Sequence, residues 1–296
     1  MGRFNEQTFL NWTKPASDTE ETKLANAERM VKDTINSNDT LNSLSIDIFG
    51  QGSYANDTNV RLNSDIDINI CYTTGFYYDF PVNKLKEDFD FIYPIAYNFD
   101  AFKNDVERAL ISAFDRSQVQ RNNKCITIVE NTYRVKTDVV PTWRYRRYSD
   151  NKTYVEGVYL KTDAGISVQS YPKQHIANSK GKNGSTSKRF KRLTRIFRKL
   201  RYKMLEDGLQ VSANVTSFLL ECLVWNVPNQ IFNNFLTWTD RLRESVIYLY
   251  NETKEESTCK NWGEVSELLY LFYQGRKWSR ENVNNYLVQM WKYLEF

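Results

Sequence analysis

Asp65 and Asp67 stand one residue apart in the run Ser64-Asp65-Ile66-Asp67-Ile68-Asn69-Ile70. On an extended strand alternate side chains point the same way, so the two carboxylates share one face while Ile66, Ile68 and Ile70 share the other. One face carries chemistry and the other packs. Two adjacent carboxylates repel, and with no cation between them one is expected to hold its proton above the usual carboxylate range. Hard oxygen ligands of this kind suit magnesium or manganese better than zinc. Upstream, Gly52-Ser53 follows the alternating run Leu44, Ile46, Ile48 and so falls where a strand ends. A glycine there lets the backbone approach a ligand, and free amides with a serine hydroxyl can cradle phosphate oxygens. Asp-x-Asp alone is a common chance pattern, and Gly-Ser is weaker still. The joint order of strand, Gly-Ser, polar loop and an aspartate pair opening a second apolar strand is far rarer. It points to a metal-assisted site for a nucleoside triphosphate.

Two-metal nucleotidyl transfer generally uses a third carboxylate. The candidate is Asp138, in Tyr133-Arg134-Val135-Lys136-Thr137-Asp138-Val139-Val140-Pro141. That segment alternates like a strand, and its proline is expected to close it. A solvated strand-edge aspartate is the plain alternative, outweighed here by the first motif.

These residues carry a resemblance. The Gly-Ser loop, Ser64-Asp65-Ile66-Asp67 and Asp138-Val139-Val140-Pro141 resemble the active site of the polymerase-beta-like nucleotidyltransferases. Within them the chain is most similar to the bacterial cGAS/DncV-like nucleotidyltransferases (CD-NTases), clade E. The likeness extends to Asn11-Trp12-Thr13-Lys14-Pro15, Pro172-Lys173-Gln174-His175-Ile176-Ala177-Asn178, the basic helix around Arg195, and Ser217 to Pro228. It implies an α+β fold, with a mixed-sheet catalytic lobe packed on a C-terminal helical lobe. It also implies a synthase of a cyclic dinucleotide second messenger, uridine-containing, in anti-phage (CBASS-type) signalling. Asp65, Asp67 and Asp138 would bind two magnesium or manganese ions, and Gly52 and Ser53 would grip the donor phosphates. UTP and ATP would be the substrates, with no long nucleic acid and no membrane required, and a downstream effector would bind the product. The alternatives are a transferase that adds one nucleotide to RNA, protein or a small molecule without cyclisation, and an inactive nucleotide sensor.

Four further residues are candidates. Arg198 and Lys199 on the basic helix could meet the triphosphate; family members typically carry lysine at the position aligned with Arg198, so the role can shift to Lys199. A solvated charged face is the alternative. Ser217 resembles the serine that approaches the donor nucleotide, against a helix cap with Asn214 as competitor. Asn178 offers a donor and an acceptor to a base edge, and the resemblance links an asparagine near here to pyrimidines; a turn or cap is the other reading. His175 is the only histidine, which excludes a histidine metal cluster.

With 296 residues and a net charge of +4, the chain has length for one large or two packed domains, and its charge total does not mark a nucleic-acid binder. Basic residues gather between Lys180 and Lys203. The four cysteines lack metal-ligand spacing and read as reduced core thiols. No apolar leader or membrane span is expected, which suggests a cytoplasmic enzyme.

A catalytic lobe over residues 1–171 and a helical lobe over 172–296 are expected. In the first, a helix is expected from Glu20 to Ile35, capped by Asp18 or Thr19, with strands near Ser43 to Phe49 and Asp65 to Tyr72. An aromatic loop should follow through Phe76, Tyr77, Tyr78, Phe80 and Tyr93. Next come a helix from Asp100 to Phe114, strands at Cys125 to Glu130 and Tyr133 to Val140, and a hairpin turned at Asp163-Ala164-Gly165. In the second, helices fit Ser187 to Leu205, Thr216 to Trp225, Phe232 to Asn251, Glu264 to Phe272 and Glu281 to Tyr293. Ser179 to Ser187 reads as a mobile loop or linker.

Overall fold

The computed structural model describes residues 2–60, 65–89, 97–273 and 275–296. Ser64 of the aspartate motif and Tyr93 of the aromatic segment lie outside them. The chain divides into two compact units, one of Ser17–Ala55 and Ser64–Lys173, the other of Met1–Ala16, Asn56–Asn63 and Gln174–Phe296. The last of the four junctions, between Lys173 and Gln174, lies two residues beyond the expected 171/172 boundary. The first sixteen residues and Asn56–Asn63 group with the helices instead.

The sheet unit begins with α2 (Asp18–Ser37) and α3 (Asp39–Asn42). Ser17, not Asp18 or Thr19, caps α2, because Glu20 sits three residues on and closes a capping box with it. Then follow β1 (Ile46–Gln51), the single turn α4 (Gly52–Ala55), β2 (Ile66–Asp79), α5 (Phe99–Phe114), β3 (Val119–Arg121), β4 (Ile126–Ile128), β5 (Thr137–Tyr148), β6 (Tyr154–Lys161) and β7 (Ser167–Ser170). They form a seven-stranded sheet in the order β1-β2-β5-β4-β3, with β6 on β5 and β7 on β6. β2 and β5 run parallel and the other pairs are antiparallel, so the sheet is mixed as expected. Helices α2 and α5 pack on each other and on β2 and β5, burying Leu24, Val31, Phe102, Val106 and Leu110.

Two expectations fail here. Phe76, Tyr77 and Tyr78 belong to β2 rather than to a loop: past an irregularity between Tyr72 and Phe76 they pair with Arg144, Tyr145 and Arg146 of β5, as suits aromatic side chains on a pleated surface. And Pro141 does not end a strand. It lies inside β5, between the stretch paired with β4, which ends at Val139, and the stretch paired with β6, which begins at Trp143. The missing N–H therefore falls where β5 changes partner. The hairpin after β6 turns as expected, with Gly165 at φ +81°.

The helical unit contains α1 (Glu6–Trp12), α6 (Pro172–Ser185, whose first two residues belong to the sheet unit), α7 (Arg189–Glu206), α8 (Ser217–Asn226), α9 (Asn229–Asn234), α10 (Trp238–Glu252), α11 (Glu256–Cys259) and α12 (Arg280–Leu294). The α7 stripe of Leu193, Ile196, Phe197, Leu200 and Met204 is wholly buried in one core with Phe9, Leu219, Leu223, Val246, Leu287 and Met290. The Gly/Ser/Lys stretch expected as a loop or linker from Ser179 to Ser187 continues α6 as far as Ser185 and turns only over Thr186 to Lys188. Lys182 anchors it by donating to the carbonyls of Trp225 and Val227 at 2.7 and 2.8 Å. The helix expected from Phe232 to Asn251 is broken after Asn234, and α10 restarts behind the Thr237 cap. Glu264 to Phe272 is no helix, because Glu264 N donates to Leu269 O and Leu271 N to Trp262 O, turning the chain back on itself. Among the described residues no helix is long and apolar enough to cross a membrane, and all four cysteines are free.

Candidate active site

In the sheet unit the register brings the acidic residues together. Asp67 of β2 pairs with Asp138 of β5, and Gln51 of β1 pairs with Asp67 from the other side. Neighbouring strands lie about 4.8 Å apart, so the Asp67 and Asp138 side chains stand next to each other on one face. Asp65 precedes β2 by one residue and, by alternation, belongs to that face too. Ile66, Ile68 and Ile70 face the other way and are wholly buried. This is the division expected from the alternation.

Gly52 follows Gln51 directly and so arrives beside Asp67. Its φ is +68°, and a Cβ placed on it would overlap the Asp67 carboxylate. Only glycine fits both the left-handed backbone and the close approach. Ser53, half-buried on the next residue, has a hydroxyl with no hydrogen-bond partner among the described residues.

Two neighbours hold the acids. Thr127 Oγ1, on β4 opposite Asp138, donates to Asp138 Oδ1 at 2.5 Å, and Asn122 Nδ2 donates to Thr127 Oγ1 at 2.8 Å. Lys136 Nζ lies 3.0 Å from Asp65 Oδ2. Burial works against the Lys136 charge, but the hydrogen bond to Asp65 and the charges of Asp65 and Asp138 outweigh it and hold the ammonium above its usual value. Burial, then the Asp138 carboxylate and more weakly that of Asp67, push the Cys125 thiol up. Both shifts report the same concentration of negative charge.

The donor set fits a divalent cation of the hard class, with carboxylates on one face and no imidazole among them. It is not a finished cage: among the described residues no three acidic, histidine or cysteine side chains already converge. Asp65 is turned to Lys136 instead. That pair is more than two-fifths exposed on both sides, and exposed pairs of this kind are worth only ~0–1 kcal/mol, so Asp65 can exchange one cation for another at little cost.

In the helical unit, the basic face of α7 is not the solvated surface that its sequence suggests. Arg195 is 7% exposed; its Nε donates to Thr13 O at 2.8 Å and its Nη1 to Asp57 O. Burial pushes its pKa down to about 10. Arg198 is 5% exposed and its Nη1 donates to Thr58 O at 2.9 Å. Buried guanidinium groups require such acceptors, so both arginines tie α7 to backbone carbonyls. Lys199 is half-buried, and its ammonium makes no hydrogen bond or ion pair among the described residues. Ser217 is the first residue of α8, and the cap is Thr216, whose Oγ1 accepts from Leu219 N at 3.2 Å; neither Ser217 nor Asn214 has that role. Ser217 Oγ instead lies 3.4 Å from the Tyr202 hydroxyl. Asn178 is neither turn nor cap. It sits within α6 and donates from Nδ2 to Val265 O at 2.9 Å.

Comparison with known proteins decides the family. Residues 177–295 match the cGAS/DncV-like nucleotidyltransferase C-terminal helical domain. The chain is 60% identical over 296 residues, the whole of both chains, to the cyclic dipyrimidine nucleotide synthase CdnE of Cecembia lonarensis. The chain belongs to the bacterial CD-NTases, clade E. Its fold is that of the Elizabethkingia meningoseptica CdnE cyclic dinucleotide synthase solved with GTP and Apcpp, at TM-score 0.82 and 33% identity over 99% of this chain and 100% of that one. The Rhodothermus marinus CdnE c-UMP-AMP synthase, solved with Apcpp and Upnpp, superposes at TM-score 0.83 with 26% identity over 98% and 97% of the two chains. This CD-NTase is therefore a nucleotidyltransferase of the polymerase-beta-like fold.

Sequence reasoning missed Lys136 and Thr127 in this CD-NTase. Lys136 lies within the quoted Asp138 segment, yet only the parallel β2–β5 register, with Ile66 N donating to Lys136 O at 3.1 Å, puts it beside Asp65. Thr127 depends likewise on the β4–β5 pairing, which no local pattern announces.

Proposed function

We propose that this CD-NTase joins nucleoside triphosphates into a pyrimidine-containing cyclic dinucleotide and releases pyrophosphate. The observation that carries the reading is the pairing of Asp67 with Asp138, with Gly52 held against Asp67, in a chain 60% identical throughout to a cyclic dipyrimidine nucleotide synthase. Asp65, Asp67 and Asp138 would hold two magnesium or manganese ions, which when bound screen the triphosphate charge and make a ribose hydroxyl easier to deprotonate. Thr127 keeps the Asp138 carboxylate in one orientation and leaves Oδ2 for a ligand. Lys136, 3.0 Å from Asp65 Oδ2, would screen that charge until a metal ion takes its place. Gly52, with no side chain, opens the backbone amides to the donor phosphates, and the Ser53 hydroxyl adds a donor.

In the helical unit, Lys199 is a better phosphate contact than Arg198, which is 5% exposed and donates from Nη1 to Thr58 O. The Ser217 hydroxyl would approach the donor nucleotide, and Asn178 would read a base edge. UTP is one substrate in this reading, and the identity to a dipyrimidine synthase favours a second pyrimidine over ATP. The product would serve an effector in anti-phage, CBASS-type defence in the cytoplasm. The test is incubation of the purified chain with four labelled triphosphates and magnesium, then phosphatase treatment and mass analysis. A phosphatase-resistant cyclic product containing uridine supports the reading. A linear or protein-linked nucleotide overturns it.

A further inference from the structure

A buried polar chain runs through the helical unit. His175 Nε2 on α6 lies 3.0 Å from Glu221 Oε1 on α8, with the two side chains 10% and 5% exposed. The second carboxylate oxygen accepts from Thr58 Oγ1 at 3.1 Å, and Thr58 O accepts from Arg198. Glu221 is thus satisfied at both oxygens although it is buried. A buried pair of this kind adds little to stability, but it fixes geometry, since any displacement strands a polar group away from water.

The geometry fixed is that of α6. Asn178 lies three residues after His175, about one turn along the helix, and is fastened separately to the Val265 carbonyl. That bond also orients the Asn178 amide: with Nδ2 committed to a carbonyl, the amide does not flip, and Oδ1 is left to accept from a ligand. Around Val265, Glu264 is paired with Arg276, which acts against the upward push of burial on the Glu264 carboxyl. Lys182 anchors the C-terminal half of α6 to the carbonyls of Trp225 and Val227, and two fastenings set its N-terminal half, one from His175 to α8 and one from Asn178 to the turn at Val265. With the first undone, that half of the helix is left to the Asn178 contact and can shift about it.

We propose that Glu221 and His175 are a positioning pair for base selection: they hold α6 so that the Asn178 amide meets one base edge in one register. The proposal rests on the reading of Asn178 as the base contact. The test compares incorporation from an equimolar mixture of the four triphosphates, with kcat and KM for each, in Glu221→Leu, Glu221→Gln and Asn178→Ser. Glu221→Leu removes the tie at similar volume; Glu221→Gln keeps hydrogen-bonding atoms at both positions. For Glu221→Leu we expect the KM of the preferred base to rise about tenfold and base composition to shift by a similar factor, the effect of one misplaced hydrogen bond, while kcat moves less than about threefold. Glu221→Gln should restore composition to within about twofold. If Glu221→Leu does not fold, His175→Asn, too short to reach Glu221, is read in the same way. A changed composition in Asn178→Ser with none in Glu221→Leu overturns the positioning role and leaves the base contact standing. An unchanged composition in Asn178→Ser overturns the base contact, and the positioning proposal with it.

Discussion

Gly52→Ala perturbs the candidate site with a single methyl group, and its two costs separate cleanly. The first is backbone: Gly52 sits at φ +68°, where an L-residue is disfavoured by about 1–2 kcal/mol. For a chain of this size, 1 kcal/mol shifts the melting temperature by roughly 2–4 °C. The second cost is local, because the new Cβ overlaps the Asp67 carboxylate. Either the carboxylate or the loop must move by about 1 Å, and displacement of a catalytic group on that scale costs about a hundredfold in rate, or about 2.7 kcal/mol in barrier. Gly165→Ala is the matched control. It lies in the same unit at φ +81°, with nothing within 4 Å of a new Cβ, so it carries the backbone cost alone. We expect both variants to melt a few degrees early, and only Gly52→Ala to lose about two orders of magnitude in kcat. Calorimetry and a pyrophosphate-release assay read the two quantities. Equal activities in the two variants would refute the view that Gly52 is there to let Asp67 stand where it does.

Asp65→Asn with Asp67→Asn should abolish product formation without lowering the melting temperature, because these side chains supply charge rather than packing; turnover at the parent rate would sink the metal assignment. Activity should require magnesium or manganese and ignore zinc-selective chelators, as hard oxygen donors dictate; restoration of a stripped enzyme by zinc alone would overturn this. Lys136→Met should lower the magnesium concentration for half-maximal activity, since the ammonium no longer competes for Asp65; an unchanged or raised requirement would show that Lys136 assists rather than competes. The Lys136 ammonium is held above its usual range, so its contribution to folding is present at all pH values below the unfolded lysine value of about 10.4 and fades only above it. A stability difference between the parent and Lys136→Met that falls away between about pH 7 and 9 would contradict that sign.

The aspartate site was legible because its signal is local. Alternation over Ile66, Ile68 and Ile70 fixed the face of Asp65 and Asp67, and the glycine after β1 marked a loop end, whatever the rest of the sheet did. What stayed hidden depends on partners. Pro141 looked like a strand terminus because proline deletes a ladder donor, and only the exchange of β4 for β6 along β5 shows why the strand tolerates it. Phe76 to Tyr78 looked like an aromatic loop because no polar alternation marks them, yet pairing with Arg144 to Arg146 makes them strand. The break before α10 and the turn at Glu264 follow from the Thr237 cap and from the Leu269 and Trp262 carbonyls.

The basic helix teaches a different lesson, since there the pattern was read correctly but the solvated face, one of its two readings, does not hold for Arg195 and Arg198. The α7 apolar stripe lies on one side as the period requires, and the arginines do lie opposite. A charged face is normally a solvated one because desolvating a guanidinium is costly. Arg195 offsets that cost by meeting the carbonyls of Thr13 and Asp57, and Arg198 offsets part of it through Nη1 on Thr58 O, in segments distant in sequence. A lysine at either position would offer a compact ammonium in place of the forked guanidinium. Arg198 uses Nη1 to reach Thr58 O, and the division of roles proposed above leaves the triphosphate to Lys199. If that division is correct, Arg198→Lys should melt earlier with little change in the KM for triphosphates, and Lys199→Met should raise that KM several-fold with an unchanged melting temperature. The reverse assignment of effects would return the phosphate contact to Arg198.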